Sequence, residues 1–154
     1  MENRIEVLRK YIDEIILNMT DYNERRCAYV HLYGVSQFCS MIALKRNQDA
    51  ELAIMAGMLH DFYTYKMMDM ENHAEKSAIL AKETLDLLKI TNEKETVLIC
   101  NAIAVHSDKK NKHSDFAEVL IDADVIQHYL YNISFSTANH ENERLKNLKN
   151  EFGL

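Results

Sequence analysis

Apolar residues recur at three- and four-residue steps along most of the chain, the spacing of a helix with one buried face. The first such stripe consists of Ile5, Leu8, Ile12, Ile15, Ile16 and Met19. Asp21 or Asn23 can cap the second helix, because a short polar side chain accepts from free backbone N–H groups. The pattern predicts helices over about 4–19, 24–44, 49–60, 73–88, 93–105 and 115–131, with a short last helix in the charged tail from Asn139.

Two segments interrupt this pattern. Phe62–Asn72 is the least regular segment and is rich in Tyr and Met, so we expect a loop there. Ser107–His113 is polar and mostly basic, and it predicts a second loop. Within the third helix, the small residues Ala53, Ala56 and Gly57 predict close approach of another backbone, since glycine otherwise costs about 1 kcal/mol in a helix interior.

The composition agrees with a helical protein. The chain has no proline and only three glycines while 47% of its residues are apolar, so the usual turn and breaker residues are scarce. A length of 154 residues is enough to bury one core. We therefore predict a single domain over residues 1–154, an all-α bundle of about six to seven helices.

Charge and cysteine content limit the possible binding partners and the cellular compartment. A net charge of −6 disfavours binding to a nucleic-acid backbone, which requires a basic face. Cys27 and Cys39 share one predicted helix and lie about 18 Å apart, too far for a disulfide, which favours reduced thiols. The first residues do not resemble a signal peptide and no apolar stretch approaches about 18 residues, so we expect a soluble, cytoplasmic protein without a membrane segment.

Histidine and aspartate residues form the most informative series in the chain. His60 and Asp61 stand side by side and close the apolar run Leu52–Leu59. Imidazole nitrogen and carboxylate oxygen are the ligands that hold borderline divalent metals. The full series is His31, His60, Asp61, His73, His106 and Asp124. Several of these residues fall at predicted helix ends, so they can gather at one end of the bundle and bind a metal.

Other candidates are less clear from the residues alone. Asp122 and Asp124 point about 200° apart on one helix, so one metal cannot easily bind both. They flank the same apolar stripe on either side, so the stripe does not show which of the two is the ligand. We expect the remaining histidines to be structural or surface groups: His113, His128 and His140.

Several motifs resemble the HD-domain superfamily of metal-dependent phosphohydrolases, in particular its small stand-alone bacterial members. The resemblance covers roughly residues 22–132. It is carried by Arg25-Arg26 leading into His31–Val35, and by Ala56–Asp61, His73–Ala78, Val105–Ser107 and Asp122–Asp124.

The resemblance implies a set of metal ligands. His31, His60, Asp61 and Asp124 would bind one ion, with Asp122 stabilising the helix or supporting the site. His73 and His106 would bind a second ion, with Asp61 bridging the two. The expected cofactor is therefore a divalent transition metal, with two ions drawn from Fe, Mn, Zn, Co or Ni.

The resemblance also implies hydrolysis of a phosphoester or phosphoanhydride in a small, nucleotide-like substrate. Asp61 would orient or deprotonate the nucleophilic water, and His73 and His106, if not ligands, would contact the phosphate or protonate the leaving group. Many relatives carry a lysine three residues after the HD aspartate, where this chain has Thr64. Lys66 and Arg26 are the candidates for substrate binding, ahead of Lys109 and Lys110.

Three other functions stay open within this resemblance. The segment His31–Val35 and the six-ligand pattern resemble those of the HD enzymes that split dinucleoside tetraphosphates. After the last histidine, however, this chain has Ser107-Asp108 where those enzymes have Thr-Gly. A di-iron oxygenase uses similar ligands, and a regulatory module could bind a nucleotide without turnover. The expected partner is a small phosphorylated substrate, and a homodimer is also open.

Overall fold

A computed structural model describes residues 3–154, and these residues form seven helices of ten or more residues, one shorter helix and no strand. The helices are α1 (Arg4–Leu17), α2 (Tyr22–Lys45), α3 (Ala50–Leu59), α4 (Phe62–Met67), α5 (His73–Leu88), α6 (Glu93–Val105), α7 (Asp115–Tyr131) and α8 (Asn142–Phe152). A 3-10 turn, Asn139–Glu141, precedes α8. The prediction of an all-α bundle is confirmed.

Polar side chains set most of the helix starts. Asp21 is the cap of α2, because its side chain accepts from the backbone N–H of Glu24, which decides between Asp21 and Asn23. Asn92 and Glu95 form a reciprocal capping box at α6. The side chains of Asn3, Asp49 and Ser114 likewise accept from backbone N–H groups and cap α1, α3 and α7. These local contacts explain why the predicted bounds agree with the observed ones to within about two residues.

The core lies where α2, α3 and α7 meet. Seven of the ten residues of α3 are buried, and Leu32, Val35 and Ile42 bring the inner face of α2 against it. The close approach predicted for α3 is confirmed at Gly57, where a Cβ atom would lie 2.6 Å from the Cα of Ser36. Glycine therefore lets these two helices pack almost backbone to backbone.

The prediction of a loop over Phe62–Asn72 is wrong for its first half, which is α4. Phe62 is fully buried, and its ring packs edge-on against Tyr11 with centroids 6.3 Å apart. Burial of this aromatic side chain stabilises a helical turn that the irregular local pattern does not indicate. The helix ends at Met68, whose backbone adopts the left-handed conformation with φ of 53°.

By length and composition alone, helix α2 is long and apolar enough to cross a membrane, and it is the one such helix among residues 3–154. The inner face of α2, with Leu32, Val35 and Ile42, is part of the bundle core, and core helices of globular proteins meet the same criteria. The expectation of reduced thiols agrees with the structure, in which Cys27, Cys39 and Cys100 are all free.

Candidate metal centre

Five helices and one helix junction bring the six predicted ligands together. His31 lies on α2 and Asp124 on α7, the two long helices of the core. The other four stand at helix ends: His60 caps the C-terminus of α3, Asp61 precedes α4, His73 begins α5 and His106 caps α6. Their donor atoms form overlapping groups in which all atoms lie within 4.8 Å of one another.

Asp61 stands at the middle of this cluster and turns each carboxylate oxygen to a different pair of histidines. Its Oδ2 atom lies 3.1 Å from Nε2 of His31 and 3.4 Å from Nε2 of His60. Its Oδ1 atom lies 3.2 Å from Nε2 of His106 and 3.6 Å from Nε2 of His73. One carboxylate therefore joins two sets of imidazole donors.

The structure separates the two aspartates of α7. Asp124 is buried, and its Oδ1 atom lies 3.5 Å from Nε2 of His31 and 3.8 Å from Nε2 of His60. Asp122 points away and pairs with Arg46 at 2.8 Å and Arg144 at 3.0 Å. Asp124 is thus the aspartate of the cluster, and Asp122 ties α7 to α2 and α8.

Each histidine of the cluster holds its outer ring nitrogen against an acceptor. A carbonyl oxygen can only accept, so Nδ1 carries the proton and Nε2 of the neutral ring offers a lone pair to the centre. This orientation is the usual one for histidine ligands of metals. The acceptors are Gly57 O for His60 (2.8 Å), Ile103 O for His106 (2.7 Å), Met70 O for His73 (3.3 Å) and Gln127 Oε1 for His31 (2.9 Å).

The electrostatics of the cluster favour a cation. Burial raises the pKa of Asp61, but His60, His106 and His31 outweigh it and hold that pKa well below its ordinary range. Burial also lowers the pKa of His60, yet the carboxylates of Asp61 and Asp124 raise it to about 10, so without a metal a proton occupies the Nε2 atom that would otherwise bind one. The two carboxylates are ionised, and their Oδ1 atoms are buried without a hydrogen-bond partner among the described residues. A divalent metal fits this donor set and its unmet demand for positive charge.

Three further residues lie beside Asp124 or behind its partners: Lys109, named from the sequence only as a weaker candidate for substrate binding, and His128 and Glu141, which were not expected at the site. Lys109 is buried, and its Nζ lies 2.6 Å from Asp124 Oδ2 and 2.6 Å from Glu141 Oε1. His128, expected to be structural or surface-exposed, has Nε2 3.2 Å from Asp124 Oδ1 and Nδ1 3.0 Å from Glu141 Oε1. The i,i+4 spacing of His128 from Asp124 was a usable signal, whereas no sequence pattern pointed to Glu141.

Two cavities open onto the cluster, and Asp61, Met70 and His128 line both. The first has a volume of about 460 Å³ and is lined mostly by polar residues, among them Ser107, Ser136 and Thr137, beside the apolar Met70 and Phe135. The second has a volume of about 370 Å³ and a more apolar wall of Cys27, Val30, Tyr65 and Tyr131. The centre is therefore accessible to a small molecule from a polar side and an apolar side.

The structure does not bring the two predicted substrate residues to these cavities. Lys66 lines a different cavity, together with Ile15 and Asn18 from the end of α1. Arg26 is exposed on α2 and lines neither cavity of the centre. Of the remaining histidines, His113 pairs with Asp108, and exposed His140 stands on the wall of the polar cavity.

Comparison with known proteins places the chain in a family. Residues 28–129 match the family model described as HD domain, and the chain belongs to this family. The HD domain family is of the metal-dependent hydrolase type and binds divalent metals. The fold resembles a crystal structure of a predicted HD superfamily hydrolase from an uncultured Thermotogales bacterium, with a TM-score of 0.60 at 21% identity. That match covers 93% of this chain and 82% of the other. No curated protein matches the sequence.

Proposed function

We propose that this protein is a metal-dependent phosphohydrolase that cleaves a phosphoester or phosphoanhydride in a small, nucleotide-like substrate. The observation that carries the proposal is the Asp61 carboxylate, which presents one oxygen to each of two histidine pairs. Paired metal sites that share a ligand are a recurring arrangement in phosphate-ester hydrolysis.

We assign the six donors, whose groups overlap in space, to two ions. His31, His60, Asp61 and Asp124 would hold one ion, and His73 and His106 would hold a second ion with the other oxygen of Asp61. Divalent ions held there supply Lewis-acid chemistry, which offsets charge on phosphoryl oxygens and makes water more acidic. In this proposal the main role of both histidine pairs is to bind the ions, and contact with the substrate is secondary.

Asp61 orients the nucleophilic water and does not deprotonate it. The surrounding histidines keep its pKa well below the ordinary range, and a carboxylate with a low pKa is a poor proton acceptor. It is therefore better suited to orient an attacking water by accepting its hydrogen bond than to remove its proton. His73 is partly exposed at the polar cavity, where its imidazole can also contact the phosphate.

The two cavities support a substrate with a polar and an apolar part. Hydroxyl groups of Ser107 and Ser136 line the polar cavity and can donate hydrogen bonds to a phosphate, while the Thr137 hydroxyl donates to Asn142. Tyr65 and Tyr131 line the apolar cavity, where a flat ring such as a base can pack. Both volumes lie within the range of small-molecule pockets.

Replacement of Asp61 by asparagine tests the proposal. Asp61→Asn keeps nearly the same shape but removes the negative charge that both histidine pairs face. We expect phosphohydrolysis of an aryl phosphate or a nucleotide panel to fall by at least about a hundredfold, since the electrostatic term is usually the largest one in such sites. Circular dichroism should show an unchanged helical signal, because the apolar core is not altered.

The matched control is Asp86→Asn, which removes a carboxylate from the exposed surface of α5 and should leave turnover unchanged. Full activity of Asp61→Asn at a normal helical signal would contradict the proposed mechanism. Oxygen uptake with an optical di-iron signature in the wild type would instead indicate an oxygenase. Tight nucleotide binding without any product would indicate a regulatory module.

A further inference from the structure

We propose that His128 is a further donor of the metal centre, added to the six residues of the HD pattern, and that Glu141 holds it in place. The proposal rests on metal binding at the proposed site. It does not depend on which phosphoester is hydrolysed.

The orientation of His128 repeats that of the four other histidines. Its Nδ1 is 3.0 Å from Oε1 of Glu141, a carboxylate oxygen that only accepts, so Nδ1 carries the proton. Its Nε2 then faces the centre at 3.2 Å from Oδ1 of Asp124. A carboxylate behind a histidine fixes the ring and raises the basicity of the nitrogen that meets a metal.

The position of His128 places it among the donors. His31, Asp124 and His128 form one of the groups whose ligand atoms lie within 4.8 Å of one another. The His128 ring stacks on the His31 ring with centroids 5.4 Å apart and an angle of 12° between planes. Asp124 Oδ1, which has no hydrogen-bond partner of good geometry, thus faces three imidazole nitrogens, from His31, His60 and His128.

Glu141 and Lys109 complete the arrangement. Glu141 is 3% exposed and shares Oε1 between His128 Nδ1 and Lys109 Nζ. Lys109 in turn occupies Oδ2 of Asp124 at 2.6 Å, which leaves Oδ1 as the oxygen that faces the histidines. Glu141 lies beyond residue 129, where the family match ends, so the tail of this chain supplies the anchor for the additional donor.

The test uses the full chain and Zn²⁺ alone as the probe. His128→Phe keeps a ring that can stack on His31 but offers no donor atom, and Glu141 keeps Lys109 as a partner. We expect Zn²⁺ affinity, measured by competition with a chelator, to fall by about tenfold or more. The control His113→Gln removes a histidine that pairs with Asp108, lines neither cavity of the centre and belongs to none of the donor groups of the described residues, and it should leave the affinity unchanged.

A second measurement separates a ligand from a supporting residue. In Co²⁺-loaded protein, a metal-bound imidazole gives hyperfine-shifted proton NMR signals, and His128→Phe should lose the signals of one imidazole. Unchanged Zn²⁺ affinity, or the wild-type number of shifted imidazoles, would overturn the inference. If His128→Phe does not fold, His128→Asn, which is too short to reach a metal, takes its place with the same expected results. A wild-type protein that binds no Zn²⁺ would instead refute the proposed function itself.

Discussion

At the scale of single residues, the site depends on which atom of each side chain faces the centre. Asp61 divides its two oxygens between histidine pairs, and the backbone carbonyls of Gly57 and Ile103 set the protonated nitrogen of His60 and His106. These contacts fix orientation before any ligand arrives. A preformed donor set reduces the conformational entropy that metal binding must offset.

His73 offers a test of how many ions the cluster holds. Its Nε2 lies on the Oδ1 side of Asp61 and its side chain is partly exposed, so truncation leaves the core intact. We expect His73→Ala to retain the ion of His31, His60, Asp61 and Asp124 while losing most of the second. Metal analysis after equilibration with Zn²⁺ should therefore fall from two ions per chain to one. Retention of two ions would assign His73 to substrate contact instead.

At the scale of helices, the site is built from helix ends that meet beside the core. His60, Asp61 and His106 follow the C-termini of α3 and α6, and His73 begins α5. The direct contact between α2 and α3 sets the distance from His31 to His60, whose Nε2 atoms are 3.1 Å apart. The packing of these two helices is thus part of the site.

Gly57→Ala tests this packing. The added Cβ would lie 2.6 Å from Cα and 2.8 Å from N of Ser36, which are backbone atoms that cannot turn away. Although alanine is the better helix former, we expect a net loss of about 1–3 kcal/mol in the free energy of unfolding, as overpacked cores show. Urea unfolding measures the change.

The control for this prediction is Gly34→Ala. Its Cβ would meet the side chain of Gln127 at 3.0 Å, and a side chain can shift where a backbone cannot. We expect a smaller change in the free energy of unfolding. Equal stability of Gly57→Ala and wild type would show that α2 and α3 can separate at little cost.

At the scale of the whole molecule, a network of charged residues joins α2, α7 and α8 on the side of α7 away from the donors. Arg46 pairs with Asp122 and Glu151, and Arg144 pairs with Asp122 and Glu118. Arg46 lowers the pKa of Glu151. Burial raises the pKa of Asp122, although both arginines oppose it. The network fastens the C-terminal helix, and with it Glu141, to the core.

This network predicts how stability changes with pH. The folded pKa of Glu151 lies below its unfolded value, so its contribution is complete above the unfolded pKa of about 4.3 and is lost as the pH falls through the folded pKa. Arg46→Met should lower the free energy of unfolding at about pH 7 by about 1–3 kcal/mol, because buried Asp122 loses a charged partner. As the pH falls below about 4.5, the free energy of unfolding should decrease less in the variant than in the wild type.

Urea unfolding of metal-free protein at several pH values measures this difference, and histidines of the site contribute equally to both proteins. Lys10→Met, which removes a cation from an exposed position on α1, is the control and should follow the wild type. A parallel acid dependence in Arg46→Met and wild type would show that the network does not set the pH response.

The sequence by itself determined the seven longer helices, and its resemblance to the HD-domain superfamily named the six candidate donors. Periodic apolar stripes and caps such as Asp21 are local features, so they can be read before the chain is folded. The donors could be named as a set because their residue types and order carry the chemistry. Their convergence near helix ends was a reasonable expectation from the same positions.

Only the tertiary structure decided the remaining features. The resemblance named Asp124, but the physical reason for Asp124 rather than Asp122 is the face of α7 that meets His31, which only the folded chain shows. Helix α4 forms because Phe62 is buried by distant parts of the chain, which no local pattern shows. Glu141 reaches His128 and Lys109 through the return of the tail onto the bundle, and such contacts between distant residues depend on packing rather than on spacing along the sequence.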